Sequence, residues 1–315
     1  MSNSKHKFTV EELKTRLDKF LAEQFSDLAG KVVSRGKIQA DIELGAVKVN
    51  GEVTNSPKFI VRVGDKVEYK PIPEEKHGPK NIPLVTLYNN HGLLIIDKPA
   101  GLVVHPGAGF KGDSLAQALL YHFKDIHLVG EEGRSGIVHR IDKDTSGVMM
   151  VALTPDMYEH LKDAFADHLV KKEYIALVKG KIEAQHGKID LSLGKSKKDF
   201  RKYTTKIDDM VREKPSLTEY WVLEHLTDGV DFYTLIKVKL HTGRTHQIRV
   251  HFSSLGFPLM GDSLYGGKKV MKLPLKRQFL HASRIEVQLP DKTWVEAESK
   301  LPKDLQEILN NLDKI

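Results

Sequence analysis

The sequence has 315 residues, enough for two domains of ordinary size, and its 40% hydrophobic and 29% charged residues exclude wholesale disorder. Because the chain contains no cysteine, it has no disulfide framework, thiolate nucleophile, iron–sulfur cluster or zinc site built on cysteine. Its formal net charge of +7 is compatible with a polyanionic partner without requiring one.

Neither a targeting segment nor a membrane-spanning segment is predicted. Residues Met1–Lys7 are polar and basic with no apolar run behind them, so they do not predict a signal peptide. Apolar runs such as Leu93–Ile96 and Val148–Leu153 are far too short to cross a bilayer. We therefore expect a soluble, cytoplasmic protein with no membrane partner.

The first 70 residues predict a small helix–helix–hairpin domain. Thr9 and Glu12 are spaced as a capping box at the start of a helix. Residues 34–45 predict a second helix that ends at a glycine. Asn50-Gly51 lies between short alternating stretches and predicts a tight β-hairpin. The apolar face of the first predicted helix consists of Leu13, Leu17, Phe20 and Leu21.

A proline-rich stretch divides this part from the rest of the chain. Four prolines between residues 71 and 83 predict a semi-extended linker, which gives a domain at 1–70, a linker at 71–84 and a domain at 85–315. In the large domain, strands are predicted at Leu93–Asp97, Val148–Leu153, Tyr174–Val178, Phe232–Val238 and Gln247–Phe252. Helices are predicted after Asp113, after Thr154-Pro155 and from Pro302.

Three cations, Lys31, Arg35 and Lys37, precede or begin the second predicted helix. Positive charge near a helix N-terminus opposes the helix dipole, so these side chains do not serve helix stability. An external phosphate would balance them, and we interpret them as RNA-binding residues. A solvated basic face is the alternative interpretation.

Short motifs in the first domain support the phosphate interpretation. Their order resembles the S4 RNA-binding domain over residues 15–69. The resemblance implies docking on structured RNA through the phosphate backbone and RNA shape. The motifs are Arg16-Leu17-Asp18-Lys19-Phe20-Leu21, Ser34-Arg35 with Ile38-Gln39, Gly45 with Asn50-Gly51, and Gly64-Asp65.

The densest group of reactive side chains lies between Gly136 and Gly147 and includes two carboxylates, Asp142 and Asp144. A solvated turn would explain this polarity. However, Gly147 leads directly into Val148–Leu153, a run apolar on both faces that predicts a central strand. Loops held by rigid strands are where catalytic residues concentrate, so we interpret this segment as a candidate catalytic loop.

The segment His139–Gly147 resembles the signature of the RluA-type pseudouridine synthases, with Ile141 in place of the usual leucine. The resemblance extends over residues 85 to about 300, and the preceding S4-like domain is typical of the ribosomal large-subunit branch. It implies an α+β fold, with a mixed, mainly antiparallel sheet in the catalytic domain and a small α/β S4-like domain before it. Further matches are Asp97–Pro106, Lys172-Glu173-Tyr174, His241–His251, Gly261–Gly266 and Leu280-His281-Ala282.

The resemblance also implies roles for individual residues. Asp142 matches the catalytic aspartate, which either attacks C1′ of the uridine or assists formation of a glycal. Arg249 matches the arginine that pairs with that aspartate, and Tyr174 matches the aromatic residue that packs on the target base. The implied substrate-binding residues are Arg140, Ile248, Thr145 and His139.

The implied partner is RNA, most often large-subunit ribosomal RNA or a pre-ribosomal particle, acted on by a monomer without cofactor or metal. Two other interpretations stay open from the residues. Gly107–Gly112 satisfies GxGxxG, which would favour a dinucleotide-dependent oxidoreductase. A non-catalytic RNA-binding factor could use the same scaffold. The histidines at 241, 246 and 251 would suggest a metal, but their spacing fits no standard site.

Overall fold

The computed structural model describes residues 5–11, 15–29, 33, 35–72, 78–105, 110, 112–131, 135–199, 201–266 and 275–315. The chain divides into two compact units: residues 1–77 with 107–111, and residues 78–106 with 112–315. The predicted limits of the two domains and the linker stay a prediction. Among the described residues, no helix is both long and apolar enough to span a bilayer.

The first unit combines two helices with short strands. Its strands are β1 (His6–Thr9), β2 (Thr15–Arg16), β3 (Val47–Val49), β4 (Glu52–Val53), β5 (Ile60–Val61) and β6 (Lys66–Tyr69), and its helices are α1 (Leu17–Ala29) and α2 (Arg35–Glu43). An antiparallel sheet has the order β1-β6-β3-β4, and β2 pairs with β5. Both helices bury their apolar faces in one core with β3 and β6.

The predicted capping box is wrong. Thr9 belongs to β1, where it pairs with Lys66, and the first helix begins only at Leu17. Because Thr9 is paired within the sheet and lies well before the helix, it cannot be the N-cap of that helix. Glu12 and Leu13 lie outside the described residues. Leu17, Phe20 and Leu21 are buried on one face, as predicted.

The second helix and the hairpin of the first unit are confirmed. Helix α2 ends just before the glycine predicted to stop it. Asn50 and Gly51 both adopt positive φ, 51° and 91°, as a two-residue turn between β3 and β4 requires.

The second unit is built on one large sheet. Its strands are β7 (Val85–Asn90), β8 (Leu93–Lys98), β9 (Ser146–Ala152), β10 (Lys171–Lys179), β11 (His186–Asp190), β12 (Leu193–Ser196), β13 (Tyr203–Thr204), β14 (Met210–Lys214), β15 (Leu217–Thr227), β16 (Phe232–Leu240), β17 (Leu280–Gln288), β18 (Trp294–Glu298) and β19 (Asp313–Lys314). Its helices are α3 (Leu115–His122), α4 (Pro155–Ala166), α5 (Gln247–Ser254) and α6 (Lys303–Asn310), with 3₁₀ turns at Ile126–Leu128 and Ile207–Asp209.

Within the described residues, ten of these strands form a sheet whose main path is β11-β15-β16-β10-β17-β9-β8-β7. Strand β18 adds to β17, β19 adds to β15, and β13-β12-β14 form a separate small sheet. Pairing in the large sheet is antiparallel except between β9 and β17, which run parallel. The predicted mixed, mainly antiparallel α+β fold is therefore confirmed.

Both faces of the large sheet are covered. Along β10, Tyr174, Ala176 and Val178 point into a core that includes α3, α4 and β9. Leu177 points into a second core, which contains Leu305 and Ile308 of α6. All of β9 is buried, which confirms the prediction of a central strand from its two-sided apolar run.

One predicted strand is wrong. Gln247–Phe252 forms most of helix α5 instead. The alternation of Ile248, Val250 and Phe252 with polar residues mimics a half-exposed strand. In the structure all six positions are buried, because the polar side chains find partners inside the protein. The other predicted strands and the three predicted helices of this unit are present, including α4 with Thr154 as its N-cap.

Gly147 lets β9 approach β17 where the two strands run parallel. Its φ is 113°, and a Cβ there would collide with the backbone carbonyl of Ala282. We expect Gly147→Ala to destabilise the protein by about 3 kcal/mol or more, from backbone strain and overpacking together. Urea denaturation measures this loss. Gly256→Ala is the matched control, since Gly256 has φ +86° but open space around a Cβ. Equal losses in both variants would contradict the close-approach explanation.

Candidate active site

Asp142 begins a tight turn that leads directly into central strand β9. The backbone N–H of Thr145 donates to the carbonyl oxygen of Asp142 at 3.1 Å, and the buried strand starts at the next residue, Ser146. The carboxylate therefore projects from a turn that is held by a buried strand, as a positioned catalytic group requires.

A buried lysine, Lys98, binds the backbone of this turn. The ammonium of Lys98, at the end of β8, donates to the carbonyl oxygens of Pro99, Leu102 and Lys143 at 2.7, 3.0 and 3.0 Å. Burial lowers the pKa of Lys98 to about 8. Because three carbonyl dipoles surround the ammonium, Lys98 holds the backbone next to Asp142. Lys98 lies in the Asp97–Pro106 motif, but the resemblance implied no role for it.

Arg249 on α5 lies between two carboxylates. Its Nη1 donates to Oδ2 of Asp142 at 2.8 Å, while Nε and Nη2 donate to the two oxygens of Asp262 at 2.7 and 2.9 Å. Burial alone would lower the pKa of Arg249, but the bonds to Asp262 and the charge of Asp142 raise it overall. The structure thus brings Arg249 and Asp142 together, as the resemblance implied.

Asp262 is the residue that sets the position of Arg249. Its side chain is fully buried, and its Oδ1 also accepts the backbone N–H groups of Leu264 and Tyr265, each at 3.0 Å. A two-point bond to Asp262 holds the guanidinium plane and leaves Nη1 for Asp142. Asp262 lies in the Gly261–Gly266 motif, from which this function was not predicted.

His246 faces the other oxygen of Asp142 from the residue just before α5. It has a left-handed backbone with φ 59°, and its Nε2 lies 3.8 Å from Oδ1 of Asp142. Its Nδ1 lies 2.8 Å from the hydroxyl of Tyr265, which accepts the backbone N–H of Tyr203. The contact between Nδ1 and the Tyr265 hydroxyl orients the imidazole so that Nε2 faces Asp142. Burial lowers the pKa of His246, so the ring is neutral at pH 7.

Tyr174 and Ile248 form buried walls near this carboxylate. Tyr174 comes from β10 and Ile248 from α5, and both line the same cleft of about 440 Å³ as Asp142. Burial, together with the negative charge of Asp142, raises the pKa of Tyr174. Its phenol therefore stays protonated at neutral pH and offers a ring face and a hydroxyl donor.

All seven residues predicted to act on the substrate line this cleft. Besides Asp142 and Arg249, two of them have partners inside the protein. His139 accepts the backbone N–H of Met150 at Nε2 and stacks on Phe165, and burial lowers its pKa to about 3. Thr145 is buried and accepts a bond from Gln278. Arg140, in contrast, is exposed at the cleft.

Other residues line the cleft without having been predicted. They are Val138, Ile141, Phe165, Ala166, His168, Lys172, Leu240, Gly243, Arg244, His246, Gln247 and Leu280. His246 lies in the His241–His251 motif and Lys172 in the Lys172-Glu173-Tyr174 motif, so the sequence pointed to both residues. What the sequence lacked was the direction in which each side chain points.

The three histidines of the late motif have separate partners. His241 lies 2.8 Å from Glu219, and His251 lies against Thr218, Ser216 and the carbonyl of Leu191. His246 belongs to the Asp142 cleft. Across the described part of the chain, no group of three or more histidine, aspartate or glutamate residues is arranged to hold a metal ion. The GxGxxG stretch falls largely outside the described residues.

Two of the three predicted RNA-binding cations of the first unit, Arg35 and Lys37, have internal partners. Arg35 donates two bonds to the buried carboxylate of Asp18, which also accepts from Arg16 and Gln39. The ammonium of Lys37 lies 2.7 Å from the carboxylate of Asp41. Lys31 lies outside the described residues. The Arg35 side chain is nevertheless 48% exposed, so its role in RNA binding stays a prediction.

Asp18 makes the first unit sensitive to acid. Burial alone would raise the pKa of Asp18, but bonds from Arg35, Arg16 and Gln39 outweigh it and hold this pKa far below its usual range. A lowered carboxyl pKa stabilises the fold above the unfolded value near pH 4, and this stability is lost as pH falls further.

We expect Asp18→Asn to weaken the first unit at pH 7 by about 3–5 kcal/mol and to flatten its acid dependence. Hydrogen exchange of the α1 and α2 amides between pH 7 and pH 3 measures both effects in the full chain. Glu43→Gln, at the exposed end of α2, is the control. An unchanged acid profile in Asp18→Asn would show that this network does not support the unit.

The chain is similar to known protein families over most of its length. Residues 92–254 match the RNA pseudouridylate synthase family, and residues 15–67 match the S4 domain. An uncharacterized RNA pseudouridine synthase of Aquifex aeolicus is 41% identical over 263 residues, covering 83% of this chain and 80% of that protein. The ribosomal large subunit pseudouridine synthase D of Haemophilus ducreyi is 36% identical over 314 residues, covering 94% and 90%.

A solved structure is similar as well. Human RNA pseudouridylate synthase domain containing 1 superposes with a TM-score of 0.62 at 27% identity, covering 75% of this chain and 90% of that one. The matched family segment includes Asp142, Tyr174 and Arg249.

Proposed function

The chain belongs to the RNA pseudouridylate synthase family, and from that premise we propose that it isomerises specific uridines of large-subunit ribosomal RNA with Asp142 as its catalytic carboxylate. It is an RNA pseudouridine synthase, an isomerase. The observation that carries the proposal for the site is the convergence of Asp142, Arg249 and Tyr174 in one cleft.

The reaction breaks the bond between C1′ and N1 of uridine, turns the uracil, and joins C1′ to C5. The hydrogen on C5 then leaves as a proton and N1 gains one, so the net change is an isomerisation. No electrons, phosphoryl groups or water molecules are consumed, and in this proposal no cofactor takes part. Asp142 either attacks C1′ or assists formation of a glycal by taking a proton from the ribose.

The neighbours of Asp142 support such a role. Arg249 donates to one carboxylate oxygen at 2.8 Å, and Nε2 of the His246 ring lies 3.8 Å from the other. The carboxylate is thereby oriented while 18% of its side chain stays accessible to a substrate. Orientation of a reacting group before the substrate arrives lowers the barrier of the chemical step.

The walls of the cleft suit a base that has left its helix. Flipping a nucleotide out of a stack costs a few kcal/mol, which contacts in the enzyme must offset. We propose that the ring of Tyr174 packs on the uracil and that Ile248 supports it from the other side. Arg140, exposed at the cleft, would fill the space that the base leaves.

We also propose that the S4 domain anchors RNA. The Arg35 side chain is half-exposed and carries guanidinium donors beyond the two used by Asp18, so a phosphate can join the existing ion pair. We propose that Lys31 and Lys37 also contribute positive charge to RNA binding. Such contacts would recognise RNA shape and backbone rather than bases.

Tritium release tests the proposed function. The purified protein is incubated with large-subunit ribosomal RNA labelled with tritium at C5 of uridine, and with small-subunit RNA as the control. We expect release from the large-subunit RNA, because C5 loses its hydrogen only when it becomes the glycosidic atom. Release from small-subunit or transfer RNA alone would contradict the proposed substrate, and release from none would contradict the proposed function.

A further inference from the structure

Lys172 lies on β10, two residues before Tyr174. Residues two apart on a strand share a face, and both side chains line the Asp142 cleft. Lys172 is only 8% exposed, an unusual position for a lysine. None of the roles proposed above uses this side chain.

The ammonium of Lys172 makes no hydrogen bond or ion pair with any residue that the structure describes. Its Nζ lies 5.5 Å from the centre of the Phe165 ring. A Cβ on Gly243 would lie 3.8 Å from it, so the ammonium sits beside the loop that precedes α5. The contrast with Lys98 is direct, because Lys98 is also buried but has three carbonyl partners.

Burial of a charge without a partner is unfavourable. Removing an ammonium from water costs several kcal/mol unless an opposite charge or hydrogen bonds compensate it. Burial lowers the pKa of Lys172, and no nearby carboxylate restores it. Among the described residues, the ammonium is attracted only by the ring of Phe165, so an anion bound in the cleft would compensate its charge much further.

We propose that Lys172 binds a phosphate group of the RNA, namely a phosphodiester next to the target uridine. This inference rests on the proposed function. Phosphates are the anionic groups of RNA, and an anion compensates a buried ammonium better than a neutral base carbonyl does. Arg249 is not available for this contact, because Asp142 and Asp262 occupy its guanidinium. Lys172 would thus anchor the flipped nucleotide by its backbone while Tyr174, on the same face, contacts its base.

The test is a double-mutant cycle between the side chain and the phosphate. The substrate is a synthetic fragment of large-subunit RNA that the wild-type protein converts. A neutral methylphosphonate replaces the phosphate on the 5′ side or the 3′ side of the converted uridine. The protein variants are Lys172→Met and Lys172→Arg. Lys162→Met is the control, since Lys162 is an exposed lysine on α4. The ratio kcat/KM, measured for every combination of protein and RNA, gives the coupling between the side chain and the phosphate.

We expect Lys172→Met to lower this ratio about 10²-fold on unmodified RNA. On one of the two methylphosphonate substrates, the ratio for Lys172→Met should fall little below its value on unmodified RNA, because the contact is already absent. Lys172→Arg should restore part of the ratio, and Lys162→Met should behave as wild type. The melting temperature of Lys172→Met should equal or exceed that of wild type, because an unpaired buried charge is replaced by an apolar side chain.

Additive effects of Lys172→Met and both methylphosphonates would overturn the phosphate contact, and so would a lowered melting temperature with unchanged activity. These results differ from failure of the proposed function, in which the wild-type protein converts no uridine in large-subunit RNA. In that case both proposals are wrong.

Discussion

Asp142→Asn is expected to lower pseudouridine formation at least about 10³-fold while leaving RNA affinity within a few-fold of wild type. The amide cannot act as a nucleophile or base, but it keeps an oxygen that can accept the bond from Arg249. Affinity should change little because contacts to many phosphates dominate RNA binding. Single-turnover tritium release and equilibrium binding measure the two effects separately.

Asp144→Asn is the matched control for this prediction. It removes a carboxylate two residues away in the same loop, where the backbone carbonyl of Asp144 accepts a bond from Arg277. We expect it to retain most of the activity. Turnover of Asp142→Asn at the rate of Asp144→Asn would remove Asp142 from the mechanism.

Arg249→Met is expected to reduce both activity and stability. The substitution leaves the fully buried carboxylate of Asp262 without its cation and removes the bond that orients Asp142. Loss of one partner from a buried ion pair costs about 3–5 kcal/mol of unfolding free energy. Urea denaturation and single-turnover rates measure the two losses.

The double variant Arg249→Met/Asp262→Asn separates the loss of stability from the loss of activity. Neutralising Asp262 should recover part of the lost stability, because no unpaired buried charge is left, yet activity should stay low. Arg244→Met is the stability control, since its Nε donates only to the backbone of Pro215 at 3.2 Å. Wild-type stability in Arg249→Met would contradict the assigned ion pair.

The sequence predicted most of the helices and several of the strands because local signals agreed with tertiary burial. The Asn50-Gly51 hairpin, the cap at Thr154 and the two-sided apolar run of β9 each follow from short-range chemistry. Helix α5 was missed for the opposite reason. Its buried polar residues imitate a solvent face, and only their contacts with distant partners, such as that of Arg249 with Asp262, show that they lie inside.

In the candidate active site, too, contacts between distant segments could not be predicted from the sequence. Motifs identified Asp142 and Arg249, but the roles of Lys98 and Asp262 depend on contacts between segments far apart in the sequence. The ion pair between Arg35 and Asp18, 17 residues apart, could not be predicted from the sequence either. A sequence gives the type of each side chain, whereas pairing depends on how the elements pack.

Pseudouridine mapping of ribosomal RNA from a strain that lacks this protein tests the central claim most directly. The strain is complemented with the wild-type chain or with Asp142→Asn, both confirmed to be expressed and folded. We predict that specific large-subunit positions lose pseudouridine in the deletion strain, regain it with the wild-type chain, and stay unmodified with Asp142→Asn. An unchanged large-subunit pattern in the deletion strain, or full restoration by Asp142→Asn, would contradict the account.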